Sequence, residues 1–289
     1  MKRSLRLRAF GKVNLSLNIT GADEVGMHTL DSVMMSVDLC DTVTVFERDD
    51  EKINVTFTNA EIGEDNTAYK AARAVHDIIG GCGYDITVEK GIPIGAGLGG
   101  SSADGAAVLR ALDVLYKLPS RGVDMRKVAL SVGSDVPFML TGGLARVRGT
   151  GEDLFFIENK LELFMVGLMS GSVSTAAAYK TFDTLYPEKS YCPTDTDALC
   201  KHLLAGDKSA LDCLGNALYA PAAKLLPEIG RDAKKLAEYG AAVNMTGSGG
   251  MVVGYFTDME KFARCAHDLS SLEARVFTSA RTGVLHEHI

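Results

Sequence analysis

The sequence predicts an α+β protein of layered sheets and helices, on three observations. Residues Leu5 to Ile19 alternate with a period of two, as a strand with one apolar face does. Tyr69, Ala72, Val75 and Ile79 recur at helical spacing, with Gly80 and Gly81 marking a stop. LELFMVGLM, residues 161–169, is a continuous apolar run of a length that suits a buried strand. Further strands are expected over Ser32–Val45, 86–94 and 251–256, and GGLARVRGTGEDL reads as strands and turns. SSADGAAVLRALDVLYKL, residues 101–118, reads as a helix with a small-residue face near its start. Other helices are expected at 123–133, 174–185, 194–204, 208–219, 231–239 and 258–270. ENK at 158–160 separates two apolar stretches, which places a division between 1–157 and 158–289; no Pro- or Ser-rich linker marks it, so the halves should pack closely.

The chain has 289 residues, enough for one large domain or two ordinary ones, and 46% hydrophobic residues exclude a largely disordered protein. With 30 Lys and Arg against 37 Asp and Glu, the net charge of -7 argues against nucleic-acid binding, which needs a basic surface. It does not argue against a small anionic substrate, for which a local positive pocket suffices. Six cysteines without a C-x-x-C pair argue against a thiolate zinc site or a disulfide scaffold. No run of 18 apolar residues suggests a membrane span, and the first residues alternate rather than form a signal peptide. A soluble, cytoplasmic protein is expected, as a monomer or a homodimer. The 30 glycines, about a tenth of the chain against roughly 7% on average, are unevenly placed.

They cluster first in PIGAGLGGSSADGAA, Pro93 to Ala107, between an expected strand and an expected helix. Glycine lets backbone N–H groups approach a ligand, and a helix start offers unpaired N–H groups and a dipole that favours anions. Ser101 and Ser102 add hydroxyls that cap the helix or meet a phosphate, and Ser102 is also placed to serve a phosphate-bound magnesium. The pattern fits a nucleoside triphosphate, although a tight turn with an ordinary cap has the same composition. It is not a Walker loop, because no GK[ST] follows, and Gly95, Gly97 and Gly100 satisfy GxGxxG without a surrounding dinucleotide unit. NMTGSGG, residues 244–250, forms a second glycine turn before an apolar strand. In SVGSDVPFML, Asp135 sits where it serves either as a turn acceptor or as the carboxylate that phosphoryl transfer asks for.

Taken together these motifs resemble the small-molecule kinase superfamily of galactokinase, homoserine kinase, mevalonate kinase and phosphomevalonate kinase. Within it, the chain is most similar to the 4-diphosphocytidyl-2-C-methyl-D-erythritol kinase family. The matching stretches are GKVNLSLNITG, GMHTLDSVMMSVDLCDTVTV, EDN, PIGAGLGGSSADGAA, VGSDVPF, GSVSTAAAY and MTGSGG, in the family's order and across both halves. The resemblance implies a two-domain small-molecule kinase fold with its active site between the lobes, residues 1–157 forming the ATP-binding domain and 158–289 the C-terminal one. It implies ATP and Mg2+ as cofactors and phosphorylation of the C2 hydroxyl of 4-diphosphocytidyl-2-C-methyl-D-erythritol, a cytidylyl-methylerythritol substrate of non-mevalonate isoprenoid synthesis. Lys12 and Asp135 are then the catalytic pair. Asn66, Lys90, Pro93, Gly95, Ala96, Gly97, Leu98, Gly99, Gly100, Ser101, Ser102 and Asp104 fall on the nucleotide side, with Ser102 nearest the metal. Asn14, Met27, His28, Thr175, Tyr179, Gly247, Ser248 and Gly249 fall on the acceptor side, His28 bonding the cytosine and Tyr179 stacking on it.

Taken singly, several of these residues have plainer readings. Lys12 on an alternating strand is as compatible with solvent, Asn66 in EDNT reads first as a helix cap, and Tyr179 beside Phe182 reads as core. Two other functions also stand at this level: another alcohol kinase of the superfamily, such as mevalonate or homoserine kinase, or a silent ATP-binding regulatory protein. The chain departs from the family in two places. The loop carries Ser101 and Ala103 where many relatives have glycine and serine, and Met27 stands where an aromatic residue usually precedes the histidine. A thioether covers a pyrimidine face less well than a ring does. Met27→Tyr is therefore expected to lower the KM for the cytidylyl substrate, and an unchanged KM would show that Met27 does not face the base.

Overall fold

The computed structural model describes residues 3–187 and 191–286. Strand β1 (Ser4–Ala22) and strand β2 (His28–Glu47) form a long antiparallel hairpin with register shifts near Phe10, Asn14 and Ile19. The odd-numbered apolar residues of β1 face the core as the alternation implies, with Leu7, Ala9, Val13 and Leu15 fully buried. The even-numbered polar set Lys12, Asn14, Ser16 and Asn18 is buried as well, at 5% exposure or less. The middle of β1 thus lies between two layers, and polar groups on its second face must find partners inside the protein.

Around this hairpin the first sheet assembles from β3 (Ile53–Phe57), β4 (Tyr84–Glu89), β5 (Leu144–Gly149), β6 (Asp153–Phe156), β8 (Gly215–Asn216) and β12 (Val284–His286). The two long strands each serve two partners. β2 pairs β5 through residues 30–35 and β4 through residues 42–47, while β1 pairs β12 near Leu7 and runs parallel to β8 at Ser16 and Leu17. Two strands from beyond residue 157 therefore belong to the first sheet. The second sheet, in the order β11 (Arg275–Thr278), β7 (Phe164–Met169), β10 (Met251–Phe256), β9 (Ala242–Met245), is antiparallel throughout. Period two divides its side chains: Met251, Val253 and Tyr255 join the core of the first sheet, while Val252 and Phe256 join a second cluster. That is why β7 and β10 read as unbroken apolar runs: both of their faces are buried.

Helices α1 (Thr67–Ile79), α2 (Gly100–Tyr116), α3 (Met125–Val132) and α4 (Val136–Thr141) belong to the first layer. The small residues of α2 allow close approach: a Cβ at Gly105 would lie 2.8 Å from Thr67 of α1. Helices α5 (Thr175–Leu185), α7 (Tyr219–Leu225), α8 (Glu228–Ala237) and α9 (Met259–Asp268) gather on the second cluster, and α6 (Thr196–Ala205) packs Leu199 and Leu203 into the first. The helix expected at 208–219 does not form. Residues 208–213 make a 3-10 turn, Gly215 and Asn216 become β8, and α7 starts only at Tyr219. Asn216 is the cause: its amide donates to the carbonyls of Met245 and Gly247 at 2.8 and 2.9 Å, and its oxygen accepts from Leu218 N. Tertiary hydrogen bonds override local propensity here.

One buried cluster fixes where the glycine loop begins. Lys90, at the end of β4, donates to Asp41 of β2 at 2.5 Å and to Asp104 of α2 at 2.7 Å, with all three side chains at 7% exposure or less. Asp41 also accepts from the backbone N–H groups of Gly91 and Ile92 at 2.7 and 2.8 Å. Burial pushes the Asp104 carboxyl up, the Lys90 ammonium opposes that shift, and the neighbouring Asp41 charge adds to it. Removing the shared cation would leave two buried carboxylates facing each other. Lys90→Met is expected to destabilise the fold by about 3–5 kcal/mol, read by denaturant or thermal unfolding. A change as small as that of the exposed-pair control Lys70→Met would refute a structural role for the cluster.

Candidate active site

Burial of the polar face of β1 brings the two expected catalytic residues together. Lys12 Nζ donates to Asn14 Oδ1 at 2.6 Å and lies 3.5 Å from Asp135 Oδ2. The lysine is 4% exposed and the aspartate 28%, so the carboxylate faces the cavity while the ammonium backs it from inside. Asp135 stands at the start of α4, where Pro137 occupies the first turn, and its side chain makes no capping bond, which leaves it turned toward Lys12. Most of the Asn14 side chain is committed: Oδ1 accepts from Lys12 and from Gly247 N at 3.0 Å, while Nδ2 donates to Ser32 at 2.8 Å. It acts on the site chiefly by holding Lys12, with one amide hydrogen left for a substrate.

The two glycine clusters, far apart in the chain, meet backbone to backbone. Gly97 has φ +75°, and a Cβ there would stand 2.3 Å from the carbonyl oxygen of Thr246. A Cβ at Gly250 would lie 2.1 Å from Gly95 O, and Thr246 Oγ1 donates to Gly97 O at 3.2 Å. Gly99, the N-cap of α2, has φ +70° and no room for a side chain beside Met139 and Lys12. Glycine is therefore required at these positions for contact as well as for conformation. The first turn of α2, with Ser101 exposed and Ser102 half-buried, presents its N–H groups beside the loop.

Two cavities flank this loop. One, of about 780 Å³, is lined by Lys12, Asn14, Met27, His28, Asp135 and Tyr179, together with Thr175, Gly247, Ser248 and Ser102. The other, of about 400 Å³, is lined by Asn66, Lys90, Asp104 and the run from Ile92 to Ser101. Gly97, Gly99 and Ser101 belong to both. Gly249 lines neither; it has φ +123°, and a Cβ there would press on Val173 and Ala222 at 3.2 and 3.3 Å.

In the lining of the larger cavity His28 stacks on Tyr179, with centroids 4.8 Å apart and planes tilted by 28°. One face of Tyr179 is thus covered by a ring of the protein itself. Burial pushes the Tyr179 hydroxyl up to about 12, with the charge of Asp135 adding to the effect. Met27 is 56% exposed at the rim, and Thr175 shares a 2.7 Å hydrogen bond with Ser248 that ties α5 to the second glycine turn. On the smaller cavity Asn66 caps α1, its Oδ1 accepting from Tyr69 N at 2.9 Å, and Lys90 is taken up by its two carboxylates.

Residues 66–143 match the family model described as the GHMP kinases N terminal domain. A 4-diphosphocytidyl-2-C-methyl-D-erythritol kinase of Moorella thermoacetica is 35% identical over 92% of this chain and 94% of its own. That of Pelotomaculum thermopropionicum is 37% identical over 89% and 91%. The chain belongs to the 4-diphosphocytidyl-2-C-methyl-D-erythritol kinase family. A crystal structure of 4-(cytidine 5'-diphospho)-2C-methyl-D-erythritol kinase superposes with a TM-score of 0.78 at 32% identity, covering 97% of this chain and 99% of the other. A homoserine kinase from Cytophaga hutchinsonii shares the fold, with a TM-score of 0.76 at 19% identity and coverage of 99% and 98%.

Several residues that shape the site in this kinase did not stand out in the sequence. Thr246 donates to the loop carbonyl at Gly97, Asn244 donates to the carbonyls of Asn14 and Leu15 at 3.2 and 3.1 Å, and Ser134 and Thr150 line the larger cavity. Asp183 accepts from His28, and its spacing of four from Tyr179 on α5 is the signal that could have found it. The contact between the glycine turns is open to test. Gly97→Ala must displace Thr246 or the loop, and is expected to lower kcat/KM for ATP by at least about tenfold in this kinase family member. Gly122→Ala carries the same positive-φ cost without a neighbour within 4 Å, so an equal effect of the two substitutions would remove the contact argument.

Proposed function

We propose that this kinase transfers the γ-phosphoryl group of ATP to the C2 hydroxyl of 4-diphosphocytidyl-2-C-methyl-D-erythritol, as a step of non-mevalonate isoprenoid precursor synthesis. The observation that carries the reading is the meeting of two cavities at Gly97, Gly99 and Ser101, with Lys12 and Asp135 lining the larger one. In this reading the adenine nucleotide occupies the smaller cavity, bounded by Asn66 and the loop from Pro93 to Gly100. Its phosphates cross the loop at the start of α2, where backbone N–H groups and Ser101 and Ser102 receive them. The acceptor occupies the larger cavity, its pyrimidine near Met27, His28 and Tyr179 and its alcohol near Asp135.

Transfer then requires little covalent chemistry from the protein. The alcohol donates a hydrogen bond to Asp135, which orients the oxygen and receives its proton as the new P–O bond forms and the bond to ADP breaks. The Lys12 ammonium, held by Asn14, offsets negative charge on the moving phosphoryl group. Among the described residues no cluster of three or more His, Cys, Asp or Glu side chains forms a metal cage. Such a donor set suits magnesium that arrives on the nucleotide, because this ion keeps its waters and binds through phosphates and one or two protein oxygens. Ser102 is the residue that would hold it, and it would neutralise phosphate charge. We assign residues 1–157 to the nucleotide lobe and 158–289 to the second lobe, with β8, β12 and α6 crossing back to complete the first sheet and its core. Among the described residues no helix is long and apolar enough to cross a membrane; a cytoplasmic monomer or homodimer is the proposed form.

Asp135→Asn is expected to lower turnover about 10²–10⁴-fold while ATP affinity and melting temperature are retained. Near-normal turnover would refute the role. ADP release measured with the cytidylyl acceptor, mevalonate and homoserine tests the substrate, and faster turnover of either of the last two would overturn the assignment.

A further inference from the structure

Helix α5 grips His28 from one side with three residues of a single face. Tyr179 stacks on the ring, Phe182 meets its edge at 6.4 Å and 89°, and Asp183 Oδ1 lies 2.8 Å from Nε2. These residues stand at i, i+3 and i+4, the spacing that puts side chains on one helical stripe. The backbone of His28 is fixed as well. It opens β2 opposite Ala22, and the preceding turn is closed by Asp23, which accepts from Val25 N and Met27 N at 3.0 and 2.8 Å. Asp183 does not line the acceptor cavity, whereas His28 does. It stands behind the histidine, with no contact of its own to a ligand in that cavity.

A carboxylate only accepts hydrogen bonds, so the imidazole nitrogen facing Asp183 carries the hydrogen. In the neutral ring the other nitrogen, Nδ1, is then an acceptor. Without the carboxylate, the two tautomers of a histidine are close in energy and Nδ1 is free to be either donor or acceptor. This difference decides what the ring recognises. Cytosine carries an amine at position 4 of its ring and uracil carries a carbonyl oxygen there. An acceptor opposite that position bonds the amine and repels the carbonyl.

We infer that Asp183 is a positioning residue for acceptor specificity: by fixing the hydrogen of His28 on Nε2 it makes Nδ1 an acceptor, which selects an amino-pyrimidine diphosphate over its keto counterpart. The inference rests on the acceptor reading above, since it needs a pyrimidine beside His28. Loss of Asp183 alters the readout of the base without touching Lys12, Asp135 or the glycine loop. The penalty therefore belongs in the acceptor KM and in the choice of base, and not in ATP binding.

The test compares the wild type with Asp183→Asn and Asp183→Glu on the cytidylyl acceptor and on its uridylyl analogue. An asparagine faces the ring with either an oxygen or an NH2 group and releases the tautomer, while glutamate keeps a carboxylate within reach. The cytidylyl-over-uridylyl ratio of kcat/KM is expected to fall by about tenfold in Asp183→Asn, the worth of roughly one net hydrogen bond, and to recover in Asp183→Glu. Imidazole nitrogen NMR of His28 reports the same change directly, with one Nε2–H tautomer in the wild type and a mixture in Asp183→Asn. An unchanged ratio, or equal losses in both variants, overturns the inference while leaving the acceptor assignment intact. Failure of the wild type to phosphorylate the cytidylyl acceptor overturns both. Asp183 is 57% exposed at its side chain, and the melting temperature of each variant separates a folding loss from a specificity loss.

Discussion

Asn14 lies fully buried on β1, and polar groups from three segments of the chain converge on it. Lys12 and Gly247 N donate to its side-chain oxygen, Ser32 accepts from its amide, Thr246 Oγ1 bonds its backbone N–H, and Asn244 reaches its carbonyl. Each of these bonds stands in a place where water is excluded, so each is costly to lose and strict in geometry. Through them the catalytic strand, the second glycine turn and β2 are set in one frame. The first glycine loop is then placed by contact with that turn, and Asp135 by its approach to Lys12. The active site is therefore assembled around an amide that need not touch either reactant.

This arrangement explains how an acidic protein handles polyanions. Cations are scarce at the phosphate path. Lys90 is committed to two carboxylates, and Lys12 is the ammonium at the acceptor end. In the proposed reading the rest of the electrostatic work falls to oriented backbone N–H groups at the start of α2, which bring partial charges without desolvating whole ones. Backbone donors are only as good as their placement. The glycines at 95–100 and 247–250 fit this need because they let two loops brace each other at distances that any side chain would prevent.

The sequence was most readable where one physical rule governs. The period of two in β1, the apolar run of β10 and the helical spacing of α1 and α2 are consequences of burial on a regular backbone, and they can be seen without a structure. The glycine loop was legible because its composition is extreme. What could not be seen was the second face of β1: alternation described Lys12 as half-exposed, and only the packing of a second layer makes it buried. Asn216 was hidden for a similar reason, since a lone asparagine does not announce that two distant carbonyls will draw it out of a helix. The resemblance put Lys90 and Asn66 on the nucleotide side; the structure also makes Lys90 the centre of a buried ion cluster and Asn66 the helix cap that EDNT suggested. Asp183 escaped notice because its partner lies in another half of the chain.

The wall of glycine backbone between the two cavities has a kinetic meaning. In the proposed reading each reactant fills a space of its own, and the two meet at Gly97, Gly99 and Ser101, which line both cavities. Neither then has to leave for the other to be seated, which is the condition for both to be bound when the phosphoryl group moves. A single shared chamber would set the two reactants against each other for the same space; here a short run of loop backbone keeps them face to face.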